Sequence, residues 1–573
     1  MSRNVLKEAV RYMAVAMMAL TLQGYGWAAQ PTSAKAWDAY THDFIEATFK
    51  AQPQFAVWAG RHEFDGRLPD WSAAGLKKEV ERLQQARKRA LGFKDGVLTD
   101  KQRFERDYVI ATIDRDLFWL ETANWPSRSP TYYYWGIDPE VYITREYAPL
   151  AQRMQAYIAY AKAIPLAAAQ IRGNLHTPLP RSYVRIGHIS AGGLASLYQN
   201  DVPAIFASVG DAQLQEEFRT ANDGAINAMR TLDAWFMEQE ANATEAYALG
   251  SENFAAMLRA TERIDVPLPR LKEVAERDLE RNLATMREAC NSLVPGQTIE
   301  ACVATIQADK MPDTIEGATR QLDELRSFVV EKKLVNIPGP EQARVAESPP
   351  YERWNTASIN IPGPFERNLP STYYISPPDP KWTKAEQEAY IPGKNILLFI
   401  SAHEVWPGHF LQFQHSNRSA STVARLFVNY TFAEGWAHYT EELMWEAGLG
   451  AGDPAVQVGQ LQNALRRNVR LISAIGLHTG GMSIADSERM FREKAFEDPG
   501  NARQQADRGT FDPGYGAYTL GKLMIQKLRE EWTATRGGRD AWHAFHDQFL
   551  SYGSPPVPMV RKAMLGTNSG PPL

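Results

Sequence analysis

Residues 400–409 read Ile400-Ser401-Ala402-His403-Glu404-Val405-Trp406-Pro407-Gly408-His409, an apolar run holding a His-Glu pair and a second histidine. A neutral imidazole is a favoured zinc ligand, and a carboxylate beside it can take a proton from water whose pKa the ion lowers to about 7. In the familiar His-Glu-x-x-His arrangement the two imidazoles sit one turn apart on one helical face. Here they are six positions apart. At about 100° per residue, a straight helix would turn His409 roughly 120° away from His403. Pro407 removes the conflict: it has no N–H for the His403 carbonyl, its ring clashes with that turn, and it pushes Trp406 out of helical dihedrals. Gly408 permits the backbone conformation that remains. The stretch predicts a helix broken at Pro407-Gly408, with His409 returned to the face of His403 and Glu404.

A catalytic zinc keeps three protein ligands and an open position. Glu434, in Phe432-Ala433-Glu434-Gly435-Trp436-Ala437-His438-Tyr439, is the candidate third ligand. It lies 25 residues after His409, enough for a turn and a second helix to bring a carboxylate back. His438, one turn beyond, is placed to hold Glu434 by a hydrogen bond. The expected cofactor is one Zn2+ per chain.

His-Glu-x-x-Pro-Gly-His followed by Glu-Gly-Trp-Ala-x-Tyr resembles the bacterial family known as domain of unknown function 885, regarded as zinc-peptidase-like. Tyr373 to Pro380 matches a family segment before the metal motif, and Arg470 to His478 and Pro513 to Gly521 match segments after it. The order His-Glu, His, then a later Glu is similar, more distantly, to helical zinc peptidases with a glutamate third ligand. The resemblance implies His403, His409 and Glu434 as ligands and Glu404 as general base. It also implies a two-lobed helical fold around a deep cleft that favours oligopeptides. The chain departs from the family at Ala474, where many members carry an acidic residue.

The rest of the chain sets the context. Its 573 residues, 44% hydrophobic and 23% charged, describe a globular protein with one large core or two packed lobes. A net charge of -5 and the lack of a basic tract interleaved with aromatics exclude nucleic acid as a partner. Arg3, Lys7 and Arg11 precede the apolar run Tyr12 to Leu20, with small residues at Gly26, Ala28 and Ala29. This reads as a signal peptide over residues 1–29, giving a periplasmic or secreted protein with no stable membrane association. A retained anchor is the alternative, but the run is shorter than the ~20 apolar residues a span needs. Cleavage would remove three basic residues and Glu8, taking the charge from -5 to -7. Only Cys290 and Cys302 are present, and in an exported protein they are expected to form a disulfide.

Helical periodicity dominates, so the fold class is predominantly α. Ser72 caps a segment from Ala73 to Leu91 and Asp100 another from Lys101 to Thr122. Further helices are predicted near Ala148 to Ile171, Asp211 to Gln239, Leu268 to Arg287, Pro312 to Lys332 and Tyr515 to Thr533. Ten prolines between Asn336 and Trp382 exclude continuous helix there. Within that region Ala357 to Ile361 and Thr372 to Ser376 read as short strands, a small β-hairpin near the metal site. Its edge either binds an extended peptide or packs two lobes together. A boundary near Val266 divides an N-terminal helical lobe, residues 30–266, from a catalytic helical lobe, residues 267–573.

Amide hydrolysis also needs a donor to the developing oxyanion. Tyr515, Tyr518 and Lys522 fall at i, i+3 and i+7 of a predicted helix and can share a face. Tyr518 is the first choice of donor and His478 the second, although such residues more often pack in cores. Arg470 can pair bidentately with a substrate carboxylate, or equally form a structural salt bridge; Tyr515 and Lys522 join it as substrate-binding candidates. The resulting expectation is an exported zinc-dependent peptidase with a peptide substrate. A zinc amidase acting on a cell-wall or small-molecule amide, and a non-catalytic peptide-binding scaffold with structural metal, are the alternatives.

Overall fold

The computed structural model describes residues 33–349, 353, 356–366, 368–566 and 569–573, with 71% helix and 3% strand. The proposed signal segment lies outside these residues. In the first half the longer helices are α1 (Ala34–Ala51), α2 (Ala73–Gly92), α3 (Asp100–Leu117), α4 (Leu150–Asn174), α5 (Arg181–Asn200), α6 (Ala212–Gln239) and α7 (Ser251–Glu262). Ser72 caps α2 by accepting from the Gly75 amide. The α3 cap is Thr99, not Asp100: Gln102 reaches back to complete a capping box, and Asp100 falls in the first turn, where a negative charge suits the helix dipole. That helix was expected to run to Thr122, but it passes into a π-turn at Phe118–Thr122.

The second half holds α8 (Leu268–Leu293), α9 (Thr314–Glu331), α10 (Lys394–Glu404), α11 (His409–Asn417), α12 (Tyr430–Glu446), α13 (Pro454–Thr479), α14 (Pro499–Phe511) and α15 (Ala517–Thr533). Cys290 at the end of α8 is bonded to Cys302 in the short helix Ile299–Ala308. Apolar side chains bury in two clusters. One runs from Trp37 to Phe236 and takes in Val423, Leu426 and Phe427; the other runs from Tyr247 to Met564 and takes in Phe118, Trp125 and Tyr183. Each half thus lends side chains to the other's core. Among the described residues no helix is long and apolar enough to cross a membrane.

The expected hairpin is part of a three-stranded sheet. Strands β1 (Ala343–Glu347), β2 (Ala357–Asn360) and β3 (Ser371–Ile375) lie in the order β1-β3-β2. β2 pairs antiparallel with β3, Asn360 opposite Thr372, and β1 pairs parallel with it, Ala343 opposite Ser371. β3 is therefore central and offers no free edge. The extra strand escaped the sequence reading because Ala343-Arg-Val-Ala-Glu347 is short and carries two charged residues. Buried Tyr373 on β3 places its hydroxyl 3.3 Å from Ser401 Oγ, tying the sheet to α10 beside the His-Glu pair.

Two helices lie deep in the second cluster. α12 is buried on every face from Thr431 to Met444 apart from Glu434, and α13 is nearly as enclosed. An all-round buried helix is a core helix, not an amphipathic surface one. α12 packs along α15 by close backbone approach at two glycines. A Cβ on Gly521 would lie 2.1 Å from the Thr431 carbonyl oxygen and 2.6 Å from Gly435 Cα. Neither obstacle is a flexible side-chain end, so Gly521→Ala should destabilise the fold by about 1–3 kcal/mol. Gly173→Ala in α4, where a Cβ meets nothing within 4 Å, should be neutral or stabilising. Urea melts of the two variants test the difference, and equal midpoints would remove the crossing as a constraint.

Candidate metal centre

The predicted break begins directly after Glu404. Val405 leaves the helical region at φ -124°, ψ -73°, the Trp406–Pro407 peptide is cis, and α11 starts at His409. Among the hydrogen bonds that hold the loop, the Gly408 amide donates to the Ala402 carbonyl (3.0 Å), and Trp436 Nε1 on α12 donates to the Pro407 carbonyl (2.9 Å). Gly408 has a steric reason as well as a conformational one, since a Cβ there would lie 1.8 Å from the His403 carbonyl oxygen. The extra residues are thus folded tightly onto the last turn of α10.

This brings His403, His409 and Glu434 together. Glu434 Oε2 lies 3.3 Å from Nε2 of each histidine, the imidazoles are nearly perpendicular with centroids 4.8 Å apart, and the three candidate ligand atoms lie within 4.8 Å of one another. Donors bonded to a tetrahedral zinc at 2.0–2.1 Å sit about 3.3 Å apart. Glu434 Oε2 approaches two nitrogens yet hydrogen-bonds to neither, and buried His409 Nδ1 is also without a partner. The donor types, their spacing and these orphaned atoms all suit a divalent cation. His403 is buried, while the His409 and Glu434 side chains keep 12% and 20% of their exposure. Burial would raise the Glu434 pKa, but the two imidazoles hold it well below the usual carboxylate range. Glu404 differs: burial, reinforced by Glu434 and opposed by His409, lifts its carboxyl to about 7.

The residue that orients His403 was missed from sequence. Glu441, fully buried on α12, accepts from His403 Nδ1 (2.7 Å), leaving Nε2 turned to the cluster. Its other oxygen accepts from Arg467 Nη1 on α13 (2.8 Å). Burial disfavours its charge, yet Arg467 and His403 keep its pKa below the ordinary range. Glu441 is seven residues from Glu434, two turns along the same face, and that spacing was the available signal. His438 does not hold Glu434. Its Nδ1 is 3.6 Å from Glu441, both ring nitrogens lack hydrogen bonds, and burial lowers its pKa to about 4.

Of the remaining candidates, Tyr518 and Arg470 reach the cluster's surroundings. The Tyr518 ring stacks on His403 at 6.2 Å, and burial and Glu434 raise its pKa, keeping the hydroxyl protonated. The Arg470 guanidinium carbon lies 4.9 Å from the Tyr518 ring centroid. His478 has a packing role instead: Nε2 donates to the Gly509 carbonyl (2.7 Å), Nδ1 accepts from the Leu249 amide (3.3 Å), and the ring stacks on Phe254. Tyr515 lies in the turn before α15, not on its face, with its hydroxyl buried against Gly509 and Leu477. Lys522 is fully buried and donates to Asp278 (2.8 Å) and Glu442 (3.2 Å), with Arg281 pairing to both acids. It cross-links α8, α12 and α15 and has no room to bind substrate.

The chain belongs to the family described as bacterial protein of unknown function, DUF885, whose profile matches residues 53–564. Two solved structures are similar. One, described as a "putative lipoprotein of unknown function" from Shewanella oneidensis, is 24% identical with TM-score 0.77, the match covering 92% of this chain and 99% of that one. The other, a "putative lipoprotein" from Colwellia psychrerythraea, is 16% identical with TM-score 0.78, covering 93% and 99%. At these identities the likeness establishes the shared architecture. No curated protein matches the chain.

Chelator-competition titration should show that His403→Ala, His409→Ala or Glu434→Ala abolishes binding of one zinc ion, while Glu441→Gln weakens it about 10–100-fold; wild-type affinity in Glu434→Ala would dismantle the site. A separate test concerns Lys522. Its neighbours Asp278 and Glu442 have folded pKa values depressed by Lys522 and Arg281 against the effect of burial. Their contribution is full above the unfolded carboxylate pKa of about 4 and is lost as pH falls below it. Lys522→Met should therefore cost about 3–5 kcal/mol at pH 7, with a smaller deficit near pH 3, read from urea melts at both values.

Proposed function

We propose that this member of the DUF885 family is an exported zinc-dependent peptidase that hydrolyses oligopeptides in a cleft between two helical lobes. The observation that carries this reading is the convergence of His403, His409 and Glu434 with Glu404 beside them. A zinc ion held by the three would supply Lewis acidity, lowering the pKa of a bound water and polarising the scissile carbonyl. Glu404 follows His403 directly and is half-buried beside the cluster, so it can take the proton from the attacking water and return it to the leaving amine nitrogen. Tyr518, protonated and with its ring beside His403, would donate to the oxyanion. Glu441 and Arg467 fix the ring of His403 so that the unprotonated Nε2 keeps its lone pair for a metal ion.

Export is supported by the basic, then apolar, N-terminal sequence and by the Cys290–Cys302 disulfide, a bond characteristic of oxidising compartments. The two similar structures come from proteins described as lipoproteins, which agrees with a place in the cell envelope. A scaffold with structural metal fits less well, because structural zinc is normally closed by four protein ligands and three donors converge here. A zinc amidase would use the same groups and differ in substrate.

Glu404→Gln separates catalysis from scaffolding. The variant should retain its zinc and its melting temperature while kcat on a peptide mixture falls about 100-fold or more. Digestion by Glu404→Gln at the wild-type rate would refute the assignment. Cleavage of a small-molecule amide with peptides left intact would favour the amidase.

A further inference from the structure

Four arginines surround the region behind Tyr518, and they are not equivalent. Arg466 pairs with Glu497, Arg467 with Glu441 (2.8 Å), and Arg508 with Asp512 (2.9 Å). Arg470 has no carboxylate within salt-bridge distance among the described residues. Its Nε donates to the neutral amide oxygen of Gln505 on α14 (2.8 Å), and one turn along α13 the side chain is the methyl of Ala474. Yet Arg470 is only 8% exposed. Burial and the neighbouring Arg508, Arg467 and Arg466 press its pKa down to about 10, so it is charged at neutral pH but under strain from its surroundings. Its terminal nitrogens make no hydrogen bond among the described residues.

A buried cation without a counter-ion is costly, and a guanidinium is shaped to receive one carboxylate through two parallel hydrogen bonds. The position is informative too. Tyr518 contacts both the Arg470 guanidinium, at 4.9 Å, and the His403 ring, at 6.2 Å. The two contacts together span about 11 Å, and at about 3.5 Å per extended residue the path past this ring is at most about three residues long.

Resting on the peptidase reading above, we infer that Arg470 binds the free α-carboxylate of the substrate and that the enzyme is a carboxypeptidase releasing a short C-terminal product. The reaction is simple hydrolysis: the C–N bond breaks, the carbonyl carbon gains the water's hydroxyl and the amine its proton. Gln505 holds Nε and fixes the fork, leaving the terminal nitrogens to the ligand. Arg508 is neutralised by Asp512 and also donates to the Tyr430 hydroxyl (3.1 Å), which lines the same aromatic wall.

The test uses zinc-loaded full-length protein and three peptides of one sequence: a free C-terminal acid, its C-terminal amide, and an amide with Asp in the final position. Mass spectrometry should show the free acid shortened from its C-terminus and the plain amide cut about 100-fold more slowly. Arg470→Gln should bring the acid-to-amide ratio close to one, chiefly through KM, and Arg470→Lys should restore part of it. Melting curves and zinc content for both variants identify any that misfold, and the wild-type acid-to-amide ratio decides the matter if both do. Equal cleavage of acid and amide, or cleavage at interior bonds, overturns the inference and leaves the peptidase reading intact. So does rapid cleavage of the Asp-terminated amide that Arg470→Gln abolishes, since the carboxylate recognised would then be a side chain. Failure to cleave any of the three removes the peptidase reading and this inference together.

Discussion

The structure depends on how it accommodates ionisable groups in an enclosed helix. Between residues 434 and 442, α12 carries Glu434, His438, Glu441 and Glu442, while the helix is buried on nearly every side. Burying a carboxylate without a partner is prohibitive, so each must be met by a charge from elsewhere. Glu441 is met by Arg467 and His403; Glu442 is met by Lys522 and Arg281. Those partners come from α8, α10, α13 and α15, so neutralising one helix fixes the relative positions of four others. Asn468 extends the lock, donating to Asp278 (2.7 Å) and accepting from Asn282 (2.7 Å).

The same helix anchors the break after Glu404. A loop between two short helices would ordinarily be a mobile element, yet here Trp436, two residues from Glu434, grips the Pro407 carbonyl. The loop and the candidate third ligand are therefore referenced to one helix. Gly408 lets the chain fold onto the end of α10, and Gly435 and Gly521 let α12 and α15 approach at backbone distance. Side chains at these three positions would each push apart elements that the cluster needs together.

Much of this was legible in the sequence, for reasons that differ by residue. Pro407 and Gly408 announce a local backbone event, and proline and glycine rules are strong because they depend on the residue alone. Glu434 could be placed beside the two histidines because only a small number of acidic groups lie at a workable distance. The same logic failed for Lys522 and His478, whose partners Asp278 and Gly509 are set by tertiary packing that periodicity does not encode. Helical spacing identifies a face but not the neighbour that face meets. Tyr515 was misplaced by a boundary error of two residues, the turn before α15 having been read as its first turn. Glu441 is the instructive omission: attention to the i+4 position selected His438, whereas the histidine to be oriented lay across from i+7. The strand β1 gave too few alternating positions to be separated from loop.

The buried polar groups fall into two classes, and the contrast bears on function. Asp278, Glu442 and Lys522 satisfy one another together with the half-exposed Arg281, and groups so closed can stabilise but have nothing left to offer a ligand. Around Glu434 the accounts stay open: Glu434 Oε2, His409 Nδ1 and Arg467 Nε lack partners, and Arg470 has a neutral amide where its neighbours have carboxylates. Orphaned atoms occur elsewhere too, on neutral groups such as Gln54 and Trp58 and on cations such as Arg145 and Arg326, but around Glu434 they gather at one site. Leaving a buried group unsatisfied costs about 1–3 kcal/mol, and more where charge is involved. A fold able to pair Arg466, Arg467 and Arg508 internally had the means to close Arg470 in the same way, since an acidic residue at position 474 would stand one turn away. That it carries Ala474 there, with an unpaired cation and a group of inward-facing donors within reach of one tyrosine ring, places the unmet electrostatic demand where a ligand with a negative end would answer it.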